Sequence, residues 1–366
     1  MKQSRNILFI FCLFITSIAI AQSPASTKKN KSAKPKNIIL MIGDGMSATQ
    51  IYAGMVGNKK PLHLEKLKII GFSRTNSTKF ITDSGAGATA WSTGFKTNNG
   101  AIGVDSAGNA QPTILEIASA HGLATGVIST NSITDATPAS FIAHQPARSM
   151  KYEIAEDYVK SPVDLFIGAG GSNFTERPDG KDLTLELKQK GFQVLYNLDE
   201  ITMVKSGKLA GFLKEAIMPE RGDQLARTAT TAIDILGKNK KGFFLMVEGS
   251  HIDGGGHKND VDMVVKEMID FDQAIGKVLA FAEKDKNTLV IITGDHETGG
   301  LTLTGGDLAT GRVEGKFSTK GHTAVMVPVF AFGPGAEAFA GIYHNNEIFQ
   351  KMLDAFGIKN VLKKQN

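Results

Sequence analysis

Five consecutive apolar residues, Ile38 to Ile42, run without interruption and stop on Gly43-Asp44-Gly45. A half-exposed strand alternates apolar with polar side chains, so an unbroken run suits a strand covered on both faces, the environment of a parallel sheet. Similar runs recur at residues 125–130, 164–168, 243–248, 288–293 and 327–332. Helical patterns lie between them, at 113–121, 151–160, 183–190, 223–236, 260–284 and 346–356. Strands alternating with helices predict an α/β fold, a three-layer sandwich with a mostly parallel central sheet and helices on both faces. No internal repeat is evident. Residues 197–219 read as polar and irregular, and 304–320 as a surface hairpin.

The ends of the chain follow different rules. Lys2 and Arg5 precede an apolar run from Ile7 to Ile20 that closes on Ala19-Ile20-Ala21. A basic start, a short apolar stretch and an A-x-A site predict a secretory signal peptide over residues 1–21. The run is shorter than the roughly 20 residues a membrane span needs, so no span is expected after cleavage. Residues 22–36 are mostly Ser, Pro, Ala, Asn and Lys without an apolar run, which predicts a disordered Lys-rich linker. The single cysteine, Cys12, falls inside the leader, so the exported chain can hold neither a disulfide nor a thiolate-bound metal. The formal charge of +5 also originates here, because seven basic residues and no acid precede Asn37, leaving the remainder at −2. A basic nucleic-acid-binding surface is therefore not indicated. Residues 37–366 are expected to form one catalytic domain, exported to the periplasm or secreted.

Acids and histidines gather where the predicted strands end. Asp44 follows the first, Asp135 and Thr137 follow another, and Glu248, Asp253 and His257 follow the run at 243–248. Asp295 and His296 close the run at 288–293, and His322 comes just before the last. Open α/β sheets keep their ligands at the carboxyl ends of the strands, so these residues, His322 apart, could converge on one edge. Imidazole with carboxylate and no thiolate suits catalytic zinc, and Asp253, His257 and His322 could make one set and Asp44, Asp295 and His296 a second. Oxygen donors alone, from Asp44, Glu248 and Thr137, suit magnesium. His63, His121, His144, His251 and His344 read as structural or exposed.

The stretch Phe80-Ile-Thr-Asp-Ser-Gly-Ala-Gly-Ala-Thr-Ala-Trp-Ser-Thr-Gly94 predicts a loop feeding a short helix of small residues. Its N-terminal end, crowded by Thr82, Asp83 and Ser84, would welcome an anion at the unpaired N–H groups. An alanine-rich core helix merely capped by Asp83 or Ser84 fits the same residues.

Taken together the motifs resemble the alkaline phosphatase family, of the type with two zinc ions and one magnesium. They are I-G-D-G-M at Asp44, T-D-S-G-A-G-A-T-A-W-S-T-G at Ser84 and D-A-T-P-A-S-F-I-A-H-Q-P-A-R ending at Arg148. V-E-G-S-H-I-D-G-G-G-H ending at His257, T-G-D-H-E-T-G-G at His296 and G-H-T at His322 follow in the family's order. The resemblance implies a hydrolase acting on phosphate monoesters through a phosphoserine on Ser84, with inorganic phosphate as product. Arg148 would bind the phosphate and Asp83 would orient it. Asp253, His257 and His322 would hold the zinc on the leaving-group side, and Asp44, Asp295 and His296 the zinc beside Ser84. Asp44, Thr137 and Glu248 would hold magnesium, with Asp135 acting through water.

Two features depart from the family. The position after Asp253, often lysine, histidine or tryptophan, is Gly254, which leaves the magnesium site and the pH optimum open. The segment between His296 and His322 has no room for the large crown of bigger members, so a homodimer is compatible with the resemblance without being implied by it. Relatives in the same superfamily include phosphodiesterases and sulfatases. Arg148 argues against a diesterase, and the C/S-x-P-x-R context of a sulfatase is absent. An inactive exported metal- or phosphate-binding protein is the alternative from another class.

Overall fold

The computed structural model describes residues 34–359. The expected leader, and the linker up to residue 33, lie outside the described residues. Fourteen strands follow in chain order. They are β1 (Asn37–Gly43), β2 (Ile69–Arg74), β3 (Ala124–Ser132), β4 (Leu165–Ala169), β5 (Phe192–Leu195), β6 (Lys208–Phe212) and β7 (Phe243–Gly249). Then come β8 (Thr288–Gly294), β9 (Glu297–Thr298), β10 (Leu301–Asp307), β11 (Arg312–Phe317), β12 (His322–Thr323), β13 (Val327–Phe332) and β14 (Gly341–His344).

Ten of them form one sheet in the order β14-β2-β13-β8-β1-β7-β3-β4-β6-β5. Only β13 runs against the rest, pairing antiparallel with both β2 and β8. β1 sits inside this sheet, parallel to β7 on one side and β8 on the other. Its alternate side chains enter two separate cores. Ile38, Leu40 and Ile42 join a cluster with Trp91, Phe141 and Phe166. Ile39 and Met41 join another with Ile252, Phe271 and Ile275. Both faces of β1 are thus covered, which is why its sequence shows no alternation. Each such buried aliphatic side chain contributes about 1.5–3 kcal/mol relative to exposure.

Register decides where the chemistry falls. Gly43 pairs with Gly249 of β7 and Gly294 of β8, and Ser129 of β3 pairs with Glu248. The residues that follow these strands therefore emerge side by side at the carboxyl edge of the sheet. The helix Ser84–Thr93 lies beneath that edge with all ten residues buried, which its small side chains permit.

The segment 197–219 is more ordered than its composition suggests, since it holds the helix Leu198–Met203 and strand β6. The hairpin expected over 304–320 is present as β10 and β11, paired antiparallel with an irregularity between Leu303 and Gly305. No helix among the described residues is long and apolar enough to cross a membrane.

Candidate metal and phosphate site

Asp83 is the N-cap of the helix Ser84–Thr93, and its Oδ1 accepts from Ala86 N at 3.0 Å. Both Asp83 oxygens also accept from Gly100 N at 3.0 Å, so the carboxylate ties the helix terminus to the loop beyond its far end. Ser84 is the first helical residue and takes no part in capping. Its hydroxyl faces His296 Nε2 at 3.4 Å.

His296 Nε2 is also 3.0 Å from Asp295 Oδ2 and 3.7 Å from Asp44 Oδ1. Asp44, Asp295 and His296 are all buried, and their donor atoms cluster as an ion would require. A second cluster holds Asp253, His296 and His322. His257 adjoins it, with Nε2 at 3.2 Å from Asp253 Oδ2 and 3.3 Å from His322 Nε2. His322 reaches this place by a two-residue antiparallel bridge in which it pairs with Thr298.

The outer nitrogens of the three rings are each engaged. His322 Nδ1 faces Thr82 O at 3.0 Å, and His257 Nδ1 faces Lys320 O at 2.5 Å. A carbonyl can only accept, so both rings carry a proton on Nδ1 and turn Nε2, the nitrogen that would bind a metal, inward. His296 Nδ1 faces Thr298 Oγ1 at 3.1 Å, and that hydroxyl donates to Asp253 Oδ1 at 2.5 Å. The hydroxyl has spent its proton on Asp253, so it accepts from His296, whose Nε2 likewise faces inward, toward Asp295. Thr298 thereby links the two donor clusters, a role that the motif around His296 did not disclose.

Farther along the edge, Glu248 is buried, accepts from Ser129 Oγ and sits on β7 beside β3. Thr137 Oγ1 is buried without a hydrogen-bond partner, as are Asp44 Oδ1 and Asp295 Oδ2. Burial pushes the Asp44 carboxyl well up, and the Asp295 charge beside it adds to the effect. Burial raises Glu248 to about 8. Burial opposes ionisation of Asp295 as well, but the adjacent His296 outweighs it and holds that carboxyl down. Orphaned buried oxygens, acids pushed toward neutrality and inward-facing imidazoles make an edge that could hold divalent cations, zinc where imidazoles converge and a hard ion where only oxygens do.

Arg148 closes the site on its exposed side. Nη1 donates to Asp83 Oδ2 and Nη2 to Asp135 Oδ1, both at 3.2 Å. Asp135 also accepts from Lys151 Nζ and Asn131 Nδ2, each at 2.8 Å. Burial lowers the Arg148 guanidinium's hold on its proton, but the Asp135 and Asp83 charges more than reverse this, so it stays cationic. The sequence singled out neither Lys151 nor Asn131.

The remaining histidines stand apart. His144 bonds Gly103 O and Glu116, and His121 bonds Ile117 O. His251 is buried with Nε2 unpartnered.

Comparison with known proteins places this arrangement among relatives. A sequence profile described as alkaline phosphatase matches residues 35–316. The chain is 32% identical to alkaline phosphatase 3 of Bacillus subtilis (strain 168), over 97% of each protein. It is 32% identical to the alkaline phosphatase of Escherichia coli (strain K12), covering 92% of this chain and 89% of that one. Among solved structures, the alkaline phosphatase of the Antarctic bacterium TAB5 superposes with a TM-score of 0.84 at 42% identity, over 90% of this chain and all of that one.

Proposed function

The chain belongs to the alkaline phosphatase family, and on that premise we propose that it hydrolyses phosphate monoesters to an alcohol and inorganic phosphate through a phosphoserine on Ser84. One observation carries the reading. The Ser84 hydroxyl stands at the N-terminus of a buried helix, 3.4 Å from His296 Nε2, where the two donor clusters meet.

In this reading Asp253, His257 and His322 would hold one zinc, and Asp44, Asp295 and His296 another. Asp44, Thr137 and Glu248 would hold magnesium, with Asp135 acting through water. Bound there, the cations supply Lewis acidity for the attacking and leaving oxygens and lower the cost of ionising a hydroxyl or water.

The chain's own residues do the rest. A serine hydroxyl is a weak nucleophile near neutral pH and must give up its proton to attack. The N-terminal N–H groups of its helix favour negative charge at that spot. The Arg148 fork matches two phosphate oxygens, and Asp83 fixes its orientation while capping the same helix. Ser84 Oγ gives up its proton and bonds to phosphorus as the bond to the alcohol oxygen breaks, and that oxygen takes up a proton to leave as the alcohol. Water then takes the phosphoryl group from Ser84, passing one of its protons back to Oγ as phosphate leaves. The alcohol is not part of this apparatus, which fits a broad range of monoesters. The leader-like residues 1–21 support export to the periplasm or beyond.

The test is hydrolysis of a chromogenic phosphate monoester at alkaline pH, with and without chelator, alongside the matching diester. Chelator-sensitive monoesterase activity that Ser84→Ala abolishes is the expected result. Preferential cleavage of the diester, or activity indifferent to Ser84, would overturn the reading.

A further inference from the structure

Asp135, at the exposed side of the site, gathers two cations. Its Oδ1 takes both Arg148 Nη2 at 3.2 Å and Lys151 Nζ at 2.8 Å, while Oδ2 takes Asn131. Because the two cations share one oxygen, Nζ and Nη2 stand no farther apart than those two bonds laid end to end. Lys151 also donates to Thr134 O at 3.2 Å, so two of its three N–H groups are committed and one is free. Its side chain is 31% exposed, enough to meet solvent over the site.

The helix gives no reason for this lysine. Lys151 is the first residue of the helix Lys151–Lys160, where the macrodipole disfavours a cation and an acid would stabilise it better. The charge is therefore explained by what it faces.

Arg148 alone is bracketed by two carboxylates, Asp83 and Asp135, which draw down its attraction for an incoming dianion. We propose that Lys151 is a positioning residue of the phosphate site: it takes up the charge of Asp135, fixes the Arg148 fork through it, and sets how tightly inorganic phosphate is held. This rests on the phosphatase reading above and deepens it to product affinity.

The experiment compares wild type, Lys151→Ala and Lys151→Arg in three measurements. These are KM and kcat on a chromogenic monoester, inhibition by inorganic phosphate, and calorimetric titration with inorganic phosphate. In Lys151→Ala the KM, the phosphate inhibition constant and the calorimetric Kd should each rise about five- to tenfold, the loss in kcat/KM residing mainly in KM. Lys151→Arg should return all three to within about twofold of wild type, since it keeps the charge and the bond to Asp135. A lysine of purely structural value would lower the melting temperature and leave phosphate affinity unmoved, and that result overturns the proposal, as does a failure of arginine to restore it. The titration needs no turnover. A wild type that binds phosphate through Lys151 but hydrolyses nothing counts against the hydrolytic reading alone.

Discussion

His257 and His322 meet nitrogen to nitrogen, Nε2 to Nε2 at 3.3 Å, with each Nδ1 committed to a backbone carbonyl. Turned toward each other in this way beside Asp253, the two nitrogens suit a shared cation, which would take the place of the protons held there.

Stability of the chelated protein should therefore fall as pH rises. Glu248, raised by burial to about 8 from an ordinary 4.5, keeps its proton in the folded protein where the unfolded chain has lost it. The stability this proton carries is complete below pH 4.5 and disappears as pH rises through about 8. His257 adds to the trend, because its bond to Asp253 raises it from 6.5 to about 9 and its contribution is likewise lost above that range. Melting followed by circular dichroism in chelator should show a decline from pH 5 to 9, and added zinc or magnesium should restore more at the alkaline end. A flat or rising profile would count against the site as a cation-requiring cluster.

Replacing Arg148 by lysine should be costly although charge is kept. A single ammonium cannot bond Asp83 and Asp135 together and also present a planar fork to phosphate. An increase of at least about tenfold in KM and in the phosphate inhibition constant is expected, equivalent to about 1.4 kcal/mol. Steady-state kinetics with phosphate as inhibitor measure it, and an unchanged inhibition constant would remove Arg148 from the phosphate contacts.

Gly45 lets the loop carrying Asp44 pack close against Asp253. It has φ +73°, and a Cβ there would stand 2.7 Å from the Asp253 backbone. Gly45→Ala should force the loop carrying Asp44 away from Asp253, with about 1–2 kcal/mol of backbone strain added. Metal content after dialysis, read by elemental analysis, should drop well below wild type while the circular dichroism of the sheet persists. Full metal retention would mean the loop has room to give.

A buried ion cluster away from the site predicts the opposite pattern. Arg221 donates to Glu267 and, at 2.7 Å, to Asp270, and all three side chains are nearly inaccessible. Arg221→Ala leaves two acids buried together and should cost about 3–5 kcal/mol in urea unfolding. The kcat of the folded fraction should be retained, because none of these residues touches the candidate site. A loss below about 1 kcal/mol would show that the acids accept protons cheaply instead.

Sequence and structure agree best where physics leaves least choice. Ile38 to Ile42 must be covered on both faces, so β1 was readable as a central strand, and with it the position of Asp44. Strands β2 and β14 were not, because Ile70, Phe72 and Ile342 remain exposed in a margin of the sheet that carries no continuous apolar run. β5 and β6 are four and five residues long, and β6 hides within a polar stretch. At the candidate site, residues that follow long strands could be placed by the rule of carboxyl ends. His322 could not, since a two-residue bridge to Thr298 delivers it and such a bridge leaves no periodicity. Thr298, Asn131 and Lys151 escaped notice for another reason. Each bonds to a candidate ligand or its neighbour through space, and only the folded chain discloses which acid or ring it serves.

The placement of β1 also bears on how the chain comes to fold. Its two sheet partners, β7 and β8, are made more than two hundred residues after it. During synthesis this apolar segment must wait for most of the polypeptide before it can be covered, a topology that slows folding and leaves the nascent chain prone to aggregation. The delay also governs the candidate site: Asp44 cannot meet Asp295 until β8 has joined the sheet, so an unfinished chain holds no assembled centre.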